Sequence, residues 1–167
     1  RGPGFDEGLE ILKQVKEQLN LPIITDVHTS KQITKVAEVA DIIQIPAFLC
    51  RQTDLLIEAG KSNKIINVKK GQFLSPKEVV NIVKKINSTG NNKVLITERG
   101  TSFGYNNLIV DMRSLKIISD LEIPVCLDAT HSTQMPGGLG DRTGGDRKMA
   151  FELAKAGMAN TIAKTTR

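Results

Sequence analysis

The pattern that most constrains this chain is a unit of short apolar strand, polar loop and amphipathic helix, repeated end to end. Its clearest copy begins at Lys64. Ile65, Ile66 and Val68 read as a buried strand. Lys69 and Lys70 load its far end with charge. A buried lysine without a partner is costly, so that end is expected to sit in water or to face an anion. Gly71 turns the chain, and Ser75-Pro76-Lys77-Glu78 opens a helix. Ser75 can cap it, Pro76 suits the first helical position, and Glu78 completes a capping box.

The other copies follow from the same signals. Phe5 to Leu19 carries apolar residues at helical spacing, ended by Pro22. Ile23 to His28 reads as a strand, and Ser30 is expected to cap the next helix, with its stripe of Ile33, Val36, Ala37 and Ala40. Asp41 to Phe48 is the second strand, ended at Pro46 because proline cannot donate to a central ladder. A helix from Gln52 to Ala59 should stop at Gly60, and the helix after the third strand at Gly90. Lys93 to Gly100 is the fourth strand. A polar loop, Thr101 to Asn107, separates it from a helix over Asp111 to Ser119. Pro124 to His131 is the fifth strand, followed by a glycine-rich loop from Met135 to Gly145 and a last helix ending near Gly157. Such alternation argues for an α/β chain with a parallel sheet covered by helices. Either an open doubly wound sheet or part of a (β/α)8 barrel fits. No dinucleotide fingerprint follows the first strand, which weakens the former.

Composition narrows the function classes. At 167 residues the chain can bury a real core. No apolar run approaches the ~20 residues that span a bilayer, so no membrane partner is expected. A net charge of +5 invites a nucleic-acid reading. The basic residues are dispersed and aromatics are scarce, so small anionic substrates are the better match. Cys50 and Cys126 suggest neither a disulfide framework nor a metal motif, which fits a cytoplasmic setting.

The strand ends say most about chemistry. Asp26, Gln44, Lys69, Arg99 and His131 occupy similar places in five successive units. In a barrel such ends converge on the face where active sites are built. A hydrophobic core does not need an acid, an amide, two cations and an imidazole at one mouth, although any one of them alone could be a solvated strand terminus. Lys69 and Arg99 suit a phosphate or carboxylate: arginine offers a planar fork and lysine a point charge. Arg51, just past the second strand, could hold another anion or be a surface residue at a helix start. His131 could be a metal ligand, a base or a structural residue, and His28 reads as structural. The segment Pro136 to Gly145 looks friendly to phosphate but lacks a Walker lysine, so a lid is the milder reading. No Gly-x-Ser-x-Gly elbow supports a serine nucleophile.

Several stretches resemble one family. They are Ile-Thr-Asp-Val-His (24–28), Ile-Gln-Ile-Pro-Ala-Phe-Leu-Cys-Arg-Gln-Thr-Asp-Leu (43–55), Asn-Val-Lys-Lys-Gly-Gln-Phe (67–73), Glu-Arg-Gly-Thr-Ser-Phe-Gly-Tyr-Asn-Asn-Leu (98–108) and Asp-Ala-Thr-His-Ser (128–132). The family is 3-deoxy-D-manno-octulosonate 8-phosphate synthase, also called 2-dehydro-3-deoxyphosphooctonate aldolase. The resemblance implies a partial (β/α)8 TIM barrel of about five parallel strands with covering helices, usually in a homotetramer. It implies condensation of phosphoenolpyruvate with arabinose 5-phosphate and water, feeding lipopolysaccharide synthesis. Lys69 and Arg99 would hold phosphoenolpyruvate with the Ala47 backbone close by. Asp26 and Asn67 would line the centre, supported by Gln44. Arg51 would reach the arabinose 5-phosphate phosphate across a subunit boundary. In metal-dependent members His131 would bind a divalent metal, alongside a Cys, a Glu and an Asp from elsewhere. Gln134 to Asp141 looks more like that type. Otherwise no cofactor is implied.

The resemblance covers residues 1–159, read as an incomplete (β/α)8 synthase domain, with 160–167 an atypical tail. The family carries two further strands before position 1, with a lysine and an Asn-Arg-Ser segment, and a last strand after position 159. The expectation is therefore an interior fragment, inactive or nearly so by itself. Two alternatives stand beside it. One is a non-catalytic remnant that binds phosphorylated ligands or assembles with other chains. The other is a related synthase using erythrose 4-phosphate, against which Asn67 to Phe73 argues.

Overall fold

The computed structural model describes residues 2–138, 140, 141 and 143–162, with the backbone alone for 160–162. The rest of the atypical tail, and Leu139 and Arg142 of the glycine-rich loop, lie outside the described residues. In chain order the elements are α1 (Phe5–Leu19), β1 (Ile24–Asp26), α2 (Ile33–Val39), β2 (Ile42–Ile45), α3 (Thr53–Lys61), β3 (Ile65–Lys69), α4 (Val79–Asn87), β4 (Val94–Glu98), β5 (Thr101–Ser102), β6 (Leu108–Ile109), α5 (Arg113–Asp120), β7 (Val125–Leu127), β8 (Gln134–Met135), β9 (Gly144–Gly145) and α6 (Arg147–Ile162). Five of the strands form one sheet in the order β1-β2-β3-β4-β7. Each is joined to the next through a helix, the α/β arrangement of a partial (β/α)8 barrel.

The chain divides into two compact units, residues 1–68 with 82–94, and residues 69–81 with 95–167. In the first, β1 and β2 pair in parallel with Ile24 opposite Ile42 and Asp26 opposite Gln44. β2 and β3 pair with Gln44 opposite Asn67. The Ile66 N–H donates to the Lys93 carbonyl at 2.8 Å. Ile43, Ile45, Ile66 and Val68 are fully buried, as β-branched residues in the middle of a parallel sheet should be. Ile33, Val36, Leu56, Ile82 and Ile86 supply the buried helix faces. α1 keeps its expected bounds, with Asn20 in the left-handed conformation (φ 51°) as its stop. Yet none of its residues is fully buried.

In the second unit the Lys70 N–H donates to the Thr97 carbonyl at 2.8 Å. β4 and β7 pair in parallel, with Thr97 opposite Cys126. Ile96, Leu115 and Ile118 are buried here. The capping box at Ser75 is present: Ser75 N–H donates to Glu78 Oε2 at 3.0 Å, over a 3-10 turn that leads into α4.

Five local expectations change. The cap before α2 is Thr29, paired with Gln32 in a capping box, and Ser30 lies inside the following 3-10 turn. Gly60 does not stop α3, which runs to Lys61; a Cβ at Gly60 would lie 2.6 Å from Thr89 Oγ1, so this glycine permits close packing. Gly157 likewise sits inside α6, where a Cβ would meet Leu127 Cδ2 at 2.6 Å. The loop after β4 is a small hairpin, with Thr101 opposite Ile109 and Ser102 opposite Leu108. The glycine-rich loop is pinned by a second one, with Gln134 opposite Gly145.

Candidate active site

The polar strand ends fall into one group in each unit. In the first, the parallel register sets Asp26, Gln44 and Asn67 level across three strands. Side chains at one level of a parallel ladder face the same way, and these three are joined in a relay. Asn67 Nδ2 donates to Gln44 Oε1 at 2.7 Å, and Gln44 Nε2 donates to Asp26 Oδ1 at 2.5 Å. Asn67 is buried and Asp26 is exposed, so the relay runs from the interior to a carboxylate open to solvent. The amide of Gln44 thus fixes the direction of both neighbours. The sequence groups Gln44 with Lys69, but the register puts it level with Asn67, two residues earlier on β3.

Ala47 opens a short 3-10 turn directly after Pro46, which ends β2 as expected. Arg51 follows that turn with an exposed side chain, while its carbonyl accepts from Lys85 Nζ at 3.2 Å. His28 is exposed, and its backbone N–H donates to Gln32 Oε1 at 2.7 Å.

The second unit holds the cations. Asp128, just past β7, is the hub. Lys69 Nζ donates to Asp128 Oδ2, and His131 Nδ1 lies 2.6 Å from the same oxygen. The His131 backbone N–H donates to Asp128 Oδ1 at 2.9 Å, and Ser132 Oγ donates to the Asp128 carbonyl at 2.6 Å. A 3-10 turn over His131–Thr133 brings the imidazole back over the carboxylate. Burial pushes the Asp128 carboxyl up. The Lys69 hydrogen bond, the His131 N–H and both neighbouring charges outweigh it and hold Asp128 below the ordinary carboxylate value.

Arg99 leaves the end of β4 with 6% of its surface exposed. Its Nη2 donates to Gln134 Oε1 at 2.7 Å. Its Nη1 is buried and has no hydrogen-bond partner among the described residues. Burial lowers the affinity of the guanidinium for its proton, while Asp128 and Glu98 pull it back up. A buried guanidinium nitrogen without an acceptor is expensive, and an oxyanion arriving at that face would satisfy it. The chemistry on offer is capture of an anion by a planar fork and a point charge, beside an imidazole whose Nδ1 is fixed by a carboxylate.

The sequence reading names Lys69, Arg99 and His131 but misses Asp128 and Gln134. Asp128 was readable in one respect: an acid three residues before a histidine, at the end of a strand, is placed to orient it. Gln134 carried no such signal, because its role depends on a reversal of the chain after the 3-10 turn. Of the two placements expected for the charged end of β3, Lys70 takes the one against an anion. It is buried against Glu98 and three oxygen acceptors. As for a divalent metal at His131, no group of three or more His, Cys, Asp or Glu side chains converges among the described residues. They do not complete a metal site. No described helix is long and apolar enough to cross a membrane.

A 2-dehydro-3-deoxyphosphooctonate aldolase from Syntrophotalea carbinolica is 57% identical over 159 residues, covering 95% of this chain and 57% of that protein. Proteins of the same name from Rickettsia felis and Geobacter sulfurreducens are 58% and 54% identical over 163 and 162 residues, covering 98% and 97% of this chain and 60% of each relative. The chain thus spans about three fifths of the length of the curated relatives it matches. The family model described as "DAHP synthetase I family" matches residues 1–164. The chain therefore belongs to the DAHP synthetase I family, with 2-dehydro-3-deoxyphosphooctonate aldolases as its matched relatives.

Proposed function

We propose that the protein to which this chain belongs condenses phosphoenolpyruvate with arabinose 5-phosphate. The carbon–carbon bond forms between C3 of phosphoenolpyruvate and the aldehyde carbon of the sugar. Water adds at C2, and inorganic phosphate leaves, giving 3-deoxy-D-manno-octulosonate 8-phosphate for lipopolysaccharide synthesis in the cytosol. The observation that carries the reading is the unpartnered, buried Nη1 of Arg99, in the same unit as the Lys69–Asp128–His131 cluster. Two cations held near carboxylates, one of them with an unfilled donor, suit a small dianion better than a neutral sugar or an extended polyanion.

In this reading Arg99 and Lys69 hold the phosphate and carboxylate of phosphoenolpyruvate, and Asp128 keeps the Lys69 ammonium and the imidazole oriented until substrate arrives. His131, with Nδ1 on Asp128, presents its Nε2 for proton transfer. Asp26 and Asn67 line the centre, aligned by Gln44, and the Ala47 backbone lies near the substrate. Arg51, which is exposed, takes the sugar phosphate of a neighbouring subunit in a homotetramer. The names of the relatives favour this substrate pair over erythrose 4-phosphate.

The test is a thermal melt of the chain followed by circular dichroism, with and without millimolar phosphoenolpyruvate, for the wild type and for Lys69→Ala. Ligand that binds only the folded state raises the midpoint. A rise in the wild type that Lys69→Ala abolishes is the expected result. A cooperative melt that phosphoenolpyruvate leaves unmoved sinks the assignment of Lys69 and Arg99.

A further inference from the structure

Successive residues on a strand point to opposite faces. At the end of β3 this sends Lys69 to Asp128 and its neighbour Lys70 into the interior of the second unit. Lys70 is 0% exposed and Glu98 1%, with Nζ 3.5 Å from Oε2. Such a pair is hard to explain as packing. Taking two charges out of water costs more than burying apolar side chains of equal volume. The other bonds of the pair show what it holds.

Glu98 Oε1 accepts from the Arg99 N–H at 2.9 Å and from the Gly100 N–H at 2.8 Å. Two consecutive N–H groups thus fold round one carboxylate oxygen, a small anion nest supplied from within the chain. The turn requires Gly100 at φ +92°, with Ile109 O, Leu108 and Ser132 close to the place a Cβ would take. It sets the backbone from which the Arg99 side chain departs. Lys70 balances the other oxygen of Glu98. It also donates to the Leu74 carbonyl at 2.8 Å, and more weakly to the Gly71 carbonyl and Thr101 Oγ1, gathering the segments that follow β3 and β4.

We propose that Glu98 is a positioning residue for Arg99 and that Lys70 is its buried counter-charge: together they fix the turn that presents the unpartnered guanidinium nitrogen to a phosphorylated anion. Neither touches the ligand. The inference rests on the reading of Lys69 and Arg99 as an anion site and extends it to the residues that hold the site in shape.

The experiment compares two double variants of the full chain. In Lys70→Met/Glu98→Gln both charges go, but the new amide oxygen can still accept from Arg99 and Gly100. In Lys70→Met/Glu98→Leu the acceptor goes too. Two quantities are read: amide hydrogen exchange at Arg99 and Gly100 against Ile96, and the dissociation constant for phosphoenolpyruvate, with inorganic phosphate as a generic oxyanion. The Gln variant is expected to keep both within about threefold of the wild type. The Leu variant should lose at least tenfold in protection at Arg99 and Gly100 and at least tenfold in affinity, while Ile96, bonded to the Pro124 carbonyl, stays protected. If the two variants behave alike, whether both bind, both fail or both unfold, the positioning role is overturned. Should the wild-type chain bind neither anion, the substrate reading falls, and the exchange comparison still decides whether Glu98 holds the Arg99 turn.

Discussion

At the scale of single residues, Asn91 shows how one buried amide can replace a turn's missing partners. Its Nδ2 donates to the Gly60 carbonyl at 3.1 Å and to the Lys64 carbonyl at 2.9 Å, and its Oδ1 accepts from the Lys93 N–H. Three backbone groups, in the last turn of α3, before β3 and before β4, accept from or donate to one side chain that is 3% exposed. Asn91→Ala removes this partner from the Lys64 carbonyl and the Lys93 N–H, while the Gly60 carbonyl still accepts from the Asn63 N–H at 3.1 Å. A cost of about 2 kcal/mol is expected in urea unfolding, since a buried unsatisfied group costs about 1–3 kcal/mol. Asn91→Asp should recover only the acceptor half. Gly60 teaches the complementary lesson. In the sequence it looks like a helix stop; in the structure it lets α3 approach Thr89, whose Oγ1 donates to the Ile86 carbonyl at 2.7 Å. Gly60→Ala is expected to cost about 1–3 kcal/mol by overpacking. An unchanged midpoint would mean that Thr89 gives way freely. Both readings needed the partner segment, which lies about thirty residues on in the chain.

At the scale of elements, the periodic signals were legible and the short ones were not. α1, the strands of the five-stranded sheet and the Ser75–Glu78 cap follow from apolar spacing and capping chemistry that a few neighbouring residues define. The β5–β6 and β8–β9 hairpins have two-residue strands, too short to show alternation, and they set Gln134 beside Arg99. The candidate site was therefore half readable. Its cations stand at strand ends, whereas their counter-ions Asp128 and Glu98 emerge only from tertiary contact. The same holds for α1, whose attachment is polar. Lys16 Nζ donates to Asp41 Oδ1 at 2.7 Å and to the Val39 carbonyl at 3.0 Å, while Asp41 Oδ2 accepts from the Ile23 N–H at 2.8 Å. The Lys16 hydrogen bond, then the Ile23 N–H, hold the Asp41 carboxyl below its ordinary value. A carboxyl lowered by folding stabilises the native state above its unfolded pKa, about 3.9, and that stabilisation is lost as pH falls through the folded value. Melts between pH 7 and pH 3 should show Asp41→Asn losing less midpoint on acidification than the wild type. At pH 7 the variant should be less stable by under about 1 kcal/mol, because the pair is more than a third exposed and water screens it. Parallel curves would assign the acid sensitivity to other carboxylates.

At the scale of the whole chain, the distribution of apolar surface predicts association. β1 and β7 are the terminal strands in the sheet order. Ile24 on β1 is 47% exposed, and Cys126 on β7 is exposed. Beside β1, in the first unit, lies an open groove of about 690 Å³ lined by Phe5, Leu9, Leu12 and Val36. In the second unit a groove of about 260 Å³ is lined by Leu115, Val125, Leu127 and Ala154. Among the described residues no strand pairs with the outer edge of β1 or of β7. An edge next to an apolar groove is a template for pairing, and neither strand carries the lysine or proline that usually blunts an edge. All five phenylalanines and the single tyrosine are also exposed, so the core is aliphatic and the rings face outward. Rings on a surface are characteristic of contact faces. Sedimentation velocity over a micromolar concentration range is expected to show reversible association. The double substitution Ile24→Lys/Cys126→Lys should raise the dissociation constant at least tenfold, because a lysine on each terminal strand must be desolvated before the edges can meet. If that variant associates like the wild type while Phe103→Ser/Tyr105→Ser does not, the contact runs through the hairpin rings and the strand edges are blunted by something other than their sequence. If none of these changes matters, the exposed apolar surface does not drive self-association.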